Sequence, residues 1–79
     1  MQIVGEVPHP ECKITLLKWN NRYLVKLEKG PFEQTYKVSQ FNVANDEELR
    51  QVVNTDFITN ALRQFDVMEV IWSNAMQRL

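Results

Sequence analysis

Apolar and polar side chains alternate along residues 12–38, and the alternation keeps its phase across two turns. Asn20-Asn21 separates the first two segments, and asparagine tolerates the positive φ that a two-residue hairpin turn requires. Gly30-Pro31 separates the second segment from the third. Because a slip of one residue moves every apolar side chain to the other face of a sheet, this common phase predicts a three-stranded antiparallel meander at about residues 11–39.

Pairing Trp19 with Arg22 across the first turn fixes the register of the meander, and the second turn then sets Glu28 opposite Glu33. One face of the sheet is therefore predicted to be apolar and to form the core. The side chains on that face are Ile14, Leu16, Tyr23, Val25, Leu27, Tyr36 and Val38.

Two helices are predicted after residue 42, where β-branched residues give way to Asp, Glu, Gln, Ala and Met. Asn45 precedes three acidic residues and is the expected N-cap of a helix at about 46–53. Asn54 is the expected N-cap of a longer helix at about 55–78. Apolar residues recur along it at spacings of three and four: Phe57, Ala61, Phe65, Met68, Trp72, Met76 and Leu79. The prediction is a single α+β domain, residues 1–79, with helices on one face of the sheet.

Residues 67–72 are apolar nearly all round and allow two interpretations, a continuation of the helix or a strand. A three-stranded sheet offers one apolar face, which we expect Leu49, Val52, Phe57, Leu62, Phe65 and Met68 to cover. In the helical interpretation four further apolar side chains are left over: Val67, Val70, Ile71 and Trp72. An apolar patch of more than a few hundred Å² usually marks an interface. These four residues are therefore the candidate surface for a homodimer or for another protein partner.

The chemistry-bearing residues do not form a catalytic or metal-binding pattern. His9 and Cys12 are close in sequence, but a reactive thiolate needs a cation or a helix N-terminus, and the charged residue between them is Glu11. Their spacing matches half of a zinc site, and the chain has no second pair of such ligands. Gly5 and Gly30 alone do not make a phosphate-binding loop. We therefore predict no enzymatic activity, no metal and no cofactor.

The single cysteine excludes an intramolecular disulfide, and a small chain without disulfides is typical of a reducing compartment. The first residues lack the basic and apolar regions of a signal peptide, and no run of about 18 apolar residues occurs. We therefore expect a cytoplasmic protein that does not enter the membrane.

A basic group shares the predicted outer face of the sheet with one tryptophan: Trp19, Arg22, Lys26 and Lys37. A basic sheet surface with aromatic side chains is one way to bind single-stranded nucleic acid. Two glutamates share that face, stacking platforms use several aromatic residues, and the net charge is −1. Nucleic-acid binding is therefore the alternative, ranked below a protein interface.

One segment of the chain also resembles a known family. It reads Pro8-His9-Pro10, then Cys12-Lys13-Ile14-Thr15-Leu16, then Trp19-Asn20. This pattern is similar to a family of small uncharacterised bacterial proteins, mainly over residues 5–37. The resemblance implies a natural stand-alone protein with no assigned activity, and it transfers no site residue to this chain. The predicted function is that of a small, non-enzymatic interaction module.

Overall fold

The computed structural model describes all of residues 1–79. Its elements are, in chain order, β1 (Gln2–Val7), β2 (Lys13–Trp19), β3 (Arg22–Lys29), β4 (Phe32–Ser39), α1 (Asp46–Val52) and α2 (Thr55–Met76). The strands form one antiparallel sheet in the order β1-β2-β3-β4, and the helices pack on one of its faces. The α+β class is confirmed, whereas the prediction of three strands was wrong because the sheet has four.

The predicted register of β2, β3 and β4 is confirmed. Trp19 faces Arg22 across the Asn20-Asn21 turn, in which both asparagines have positive φ, 50° and 60°. The next turn also has two residues, because only Gly30-Pro31 separates the last residue of β3 from the first residue of β4. Gly30 has a φ of 58°, the sign that the first position of a type II′ turn requires. Both turns therefore preserve the phase of the alternation.

Strand β1 is the element that the sequence did not reveal. Its register against β2 shifts between Ile3 and Gly5, which leaves Val4 in a β-bulge. The bulge interrupts the alternation by which a strand is recognised, and all six residues of β1 are exposed or only partly buried. Gly5 lies directly under the guanidinium of Arg50, which a Cβ at this position would displace. Arg50 also donates from Nη1 to the carbonyl oxygen of Glu6, 3.3 Å away.

The core lies between the sheet and the two helices. Its largest side chains without exposed surface are Ile14, Leu16, Leu27 and Leu49. The full cluster adds Cys12, Tyr23, Val25, Val43, Val53, Ile58, Ala61 and Phe65. Five of its members are core-face residues of β2 and β3, and Cys12 directly precedes β2. The helices supply most of the others, so the predicted packing of helices on one face of the sheet is confirmed.

Both helices begin at the predicted caps. The side chain of Asn45 accepts a hydrogen bond from the main-chain N–H of Glu48, and Asn54 accepts one from Phe57, each at 2.9 Å. Glu48 in turn accepts from the N–H of Ala44 at 2.7 Å, which satisfies another donor before the first turn of α1. Because α2 is continuous to Met76, residues 67–72 are helical, and the strand interpretation was wrong.

One residue expected to cover the sheet does not. Val52 is 51% exposed, whereas its neighbour Val53 is buried. The reason is that α1 ends here: Val53 leaves the helical region with φ −84° and ψ 66°, and its side chain enters the core.

Candidate interaction surfaces

The second half of α2 extends beyond the sheet. Ile58, Ala61 and Phe65 are the buried residues of this helix, and every residue from 69 onward is exposed. A helix of 22 residues spans about 33 Å, whereas the eight-residue strand β4 beneath it spans about 26 Å. The helix runs antiparallel to β4 and passes over the β3–β4 turn near Phe65. We call residues 66–79 the overhang.

The four predicted interface residues all lie on the overhang and are at least half exposed. Val67 is 50% exposed, Val70 59%, Ile71 62% and Trp72 53%. Val70 and Ile71 lie three and four positions after Val67, so both are its neighbours on the surface of the helix. Trp72 lies two helical turns after the core residue Phe65, on the same side of the helix. It therefore faces the space beyond the edge of the core.

A groove of about 300 Å³ lies between the overhang and the β3–β4 turn. Phe65 and Trp72 line it from the helix, and Phe32 lines it from the start of β4. Lys29 stands on the turn side, and Asp66 stands on the helix side. The apolar surface under the overhang is thus bordered by both signs of charge.

The outer face of the sheet brings together the four residues predicted there, with Trp19 paired to Arg22. The ammonium of Lys26 is shared by two carboxylates, 4.0 Å from Glu28 and 3.8 Å from Glu33. Lys26 is therefore partly neutralised within the chain. Lys37 lies on the same face, opposite Leu24 of β3.

The centre of this outer face is apolar. Leu17 and Leu24 face each other there and are 8% and 5% exposed, although no helix covers them. Strand β1, which was not predicted, adds Ile3 directly beside Leu17. A surface whose middle is aliphatic differs from the aromatic platform on which nucleic-acid bases stack.

Cys12 and His9 form no hydrogen bond with each other. The Nδ1 atom of His9 accepts a hydrogen bond from the N–H of Glu11 at 3.1 Å, while Cys12 is buried in the core. Burial raises the pKa of the Cys12 thiol, Lys29 opposes that effect, and Glu11 adds to it. A raised thiol pKa lowers the fraction of thiolate, so this cysteine is a poor nucleophile at neutral pH.

A second groove, not anticipated from the sequence, follows the open edge of β4. It is about 700 Å³ in volume and is lined by Tyr36 of the strand and by Phe57, Ala61 and Met68 of α2. The rings of Tyr36 and Phe57 meet edge to face, with centroids 5.1 Å apart. Tyr36 was expected in the core but is 42% exposed, because it lies at the sheet edge.

The structure contains neither a membrane-crossing helix nor a cluster of metal ligands. No helix combines the length and the apolar character that crossing a bilayer demands. No group of three or more His, Cys, Asp or Glu side chains is arranged to hold a metal ion. Comparison with family models, curated proteins and solved structures found no match for this chain.

Proposed function

We propose that this chain is a small, non-enzymatic interaction module that binds a second copy of itself through the overhang of α2. The observation that carries the proposal is that the apolar stripe of α2 continues past the core into residues that are exposed to solvent. The spacing that buries Ile58, Ala61 and Phe65 continues through Trp72 and Met76, where no sheet lies beneath.

The amount of apolar surface supports an interface. Six large apolar side chains of the overhang are 45% exposed or more: Val67, Val70, Ile71, Trp72, Met76 and Leu79. Together they offer several hundred Å², which approaches the roughly 800 Å² per partner of a standard protein interface. Tryptophan is also among the residues that most often dominate binding energy in such surfaces.

A second copy is the partner that the charge of the chain permits most easily. The net charge is −1, so two copies repel each other only weakly. Twofold homodimers are also the commonest protein oligomers. Each buried side chain of this size stabilises the associated state by roughly 1.5–3 kcal/mol relative to its exposure in water.

Sedimentation equilibrium tests the proposal. The wild type is expected to form dimers, and the double variant Val70→Glu/Ile71→Glu is expected to be monomeric at the same concentration. Thr55→Glu/Thr59→Glu is the matched control, because it adds two negative charges to exposed polar positions of the same helix outside the overhang. A monomeric wild type, or equal association by the Val70→Glu/Ile71→Glu variant, would overturn the proposal.

Single-stranded nucleic acid is the second candidate partner, on the outer sheet face. The observation in its favour is that Trp19, Arg22 and Lys37 are exposed there and form no ion pair or cation–π contact within the chain. Fluorescence anisotropy of a labelled oligonucleotide at low salt is the test. Binding that weakens steeply with salt and with Trp19→Ala or Arg22→Glu would support this alternative.

A further inference from the structure

The two edges of the sheet are protected to different degrees. An exposed edge strand invites pairing with another chain, and proteins usually block it with bulges, charges or covering groups. At β1 the edge is interrupted by the bulge at Val4, and the side chain of Arg50 crosses over Gly5 to reach the carbonyl oxygen of Glu6. That edge is therefore bulged and partly covered.

The other edge, β4, carries two charged residues but has neither a bulge nor a covering side chain. It is eight residues long, pairs with β3 without a register shift and contains no proline. On its open side, alternate main-chain groups of the strand have no strand partner. Its one basic residue, Lys37, forms no ion pair within the chain.

We infer that the β4 strands of two copies pair antiparallel about a twofold axis at Thr35, which joins the two sheets into one of eight strands. This inference rests on the proposed self-association and adds to it a second contact, along β4. The sequence of β4 is complementary to itself in this register. Thr35 faces Thr35 of the second copy, and Glu33 faces Lys37 at both ends of the pair.

The core-side residues of β4 also match in this register. Phe32 faces Val38 of the second copy, so an apolar pair forms on each side of the axis. Gln34 faces Tyr36 of the second copy. The same two residue types already form a hydrogen bond with each other within one strand. The faces stay in phase because facing residues of an antiparallel pair point to the same side of the sheet.

Neighbouring registers lose this complementarity. Centring the axis on Glu33 or on Lys37 sets like charges directly opposite each other, which destabilises a strand pair. Centring it on Gln34 or Tyr36 leaves both charged residues without an opposite charge facing them. The charge pattern therefore selects the register centred on Thr35.

The position of α2 is consistent with the same dimer. Asn60 and Gln64 line the groove along the β4 edge, and the spacing of four and three residues continues this row of the helix to Val67 and Ile71. A twofold axis perpendicular to the sheet sets both α2 helices on the same face of the joined sheet. The part of each row nearest the axis, Asn60 and Gln64, would then face the second copy, and Val67 and Ile71 would lie farther along, toward the start of α2 in that copy.

The test uses two single variants and their mixture. Glu33→Lys alone sets two lysines opposite each other at each end of the strand pair, and Lys37→Glu alone sets two glutamates opposite each other there. Each variant is therefore expected to weaken dimerisation by about 5- to 30-fold. In the mixed dimer every facing pair joins opposite charges, so an equimolar mixture is expected to associate as tightly as the wild type. Both positions are exposed, and thermal melting of each variant checks its fold.

A cross-link gives a second measurement that does not depend on charge. Facing Cα atoms in an antiparallel sheet are about 4.5–5.5 Å apart, within the range that a disulfide spans. Thr35→Cys in a Cys12→Ala background is expected to form a disulfide-linked dimer on mild oxidation. Ser39→Cys in the same background is the control, because it has no facing cysteine in this register.

The outcomes separate this inference from the proposed function. A dimeric wild type whose charge variants associate normally, singly and mixed, and whose Thr35→Cys form does not cross-link, would overturn the β4 pairing alone. A monomeric wild type would overturn both. Weakened single variants with a restored mixture, together with the cross-link, are the results that the inference requires.

Discussion

The Nε2 atom of Gln34 donates a hydrogen bond to the carbonyl oxygen of Ala61, 2.8 Å away, and this buried contact joins the edge strand β4 to the first half of α2. The other end of the same amide accepts a bond from the Tyr36 hydroxyl at 2.6 Å. Both polar ends of a buried side chain are thus satisfied, as buried amides require.

Removing this amide is expected to destabilise the fold. Gln34→Ala deletes both hydrogen bonds and part of the contact between β4 and α2, so it should lower the free energy of unfolding by about 1–3 kcal/mol. Tyr36→Phe deletes only the partly exposed bond and should cost about 0.5–1 kcal/mol. Urea unfolding of both variants at one protein concentration measures the difference. Equal costs would show that the Gln34–Ala61 bond contributes nothing.

Leu16 is expected to be the most damaging position for truncation in β2. It has no exposed surface, so Leu16→Ala should lower the free energy of unfolding by about 2–5 kcal/mol. That loss is a large part of the roughly 4–12 kcal/mol expected for a domain of this size. Val52→Ala is the control, because its exposed side chain should change stability by no more than about 0.5 kcal/mol. Thermal melts of the two variants should differ widely.

Gly5 and Arg50 are expected to behave as a coupled pair. Gly5→Ala would push the guanidinium away and lose its bond to the Glu6 carbonyl, at a cost of about 0.5–1.5 kcal/mol. In an Arg50→Ala background the same change meets no guanidinium, and it should stabilise the fold by about 0.4–1 kcal/mol by restricting the unfolded chain. A double-mutant cycle in urea measures the coupling. Additive effects would contradict the contact.

Tyr23 is expected to make the fold sensitive to alkaline pH. Its hydroxyl donates to Asp46 at 2.8 Å, and this hydrogen bond, with burial and the negative charge of Asp46, raises the Tyr23 pKa above its ordinary 10.0. The unfolded chain then releases the proton first, so stability is complete below about pH 10 and falls as the pH rises through the folded pKa. Tyr23→Phe should show a shallower loss of stability above pH 10 than the wild type. Identical pH profiles from thermal melts would contradict this prediction.

Local patterns were sufficient for much of the fold. The alternation along residues 12–38 and the turn chemistry of Asn20-Asn21 determined the pairing of β2, β3 and β4 to the residue. Asn45 and Asn54 determined where the helices begin, because a cap bonds only to the next turn of its own helix. These features depend on residues that are close in sequence, so the sequence reveals them directly.

Strand β1 and the coverage of the sheet were decided by the tertiary structure. The bulge at Val4 interrupts the alternation by which a strand is recognised, and β1 is joined to β2 by residues 8–12, which contain two prolines, rather than by a two-residue turn. The path of α2 over β4 decided that Gln34 is buried while Tyr36 is half exposed.

The end of α2 and the open edge of β4 also differ in how much the sequence reveals about them. The sequence by itself determined that the end of α2 carries more apolar side chains than a small sheet can cover, because counting residues on each face suffices for that. Only the tertiary structure decided that β4 is an open, regular edge and that β1 is partly covered by Arg50. Which edge of a sheet is covered depends on where distant segments lie in space, and periodicity along the chain does not contain that information.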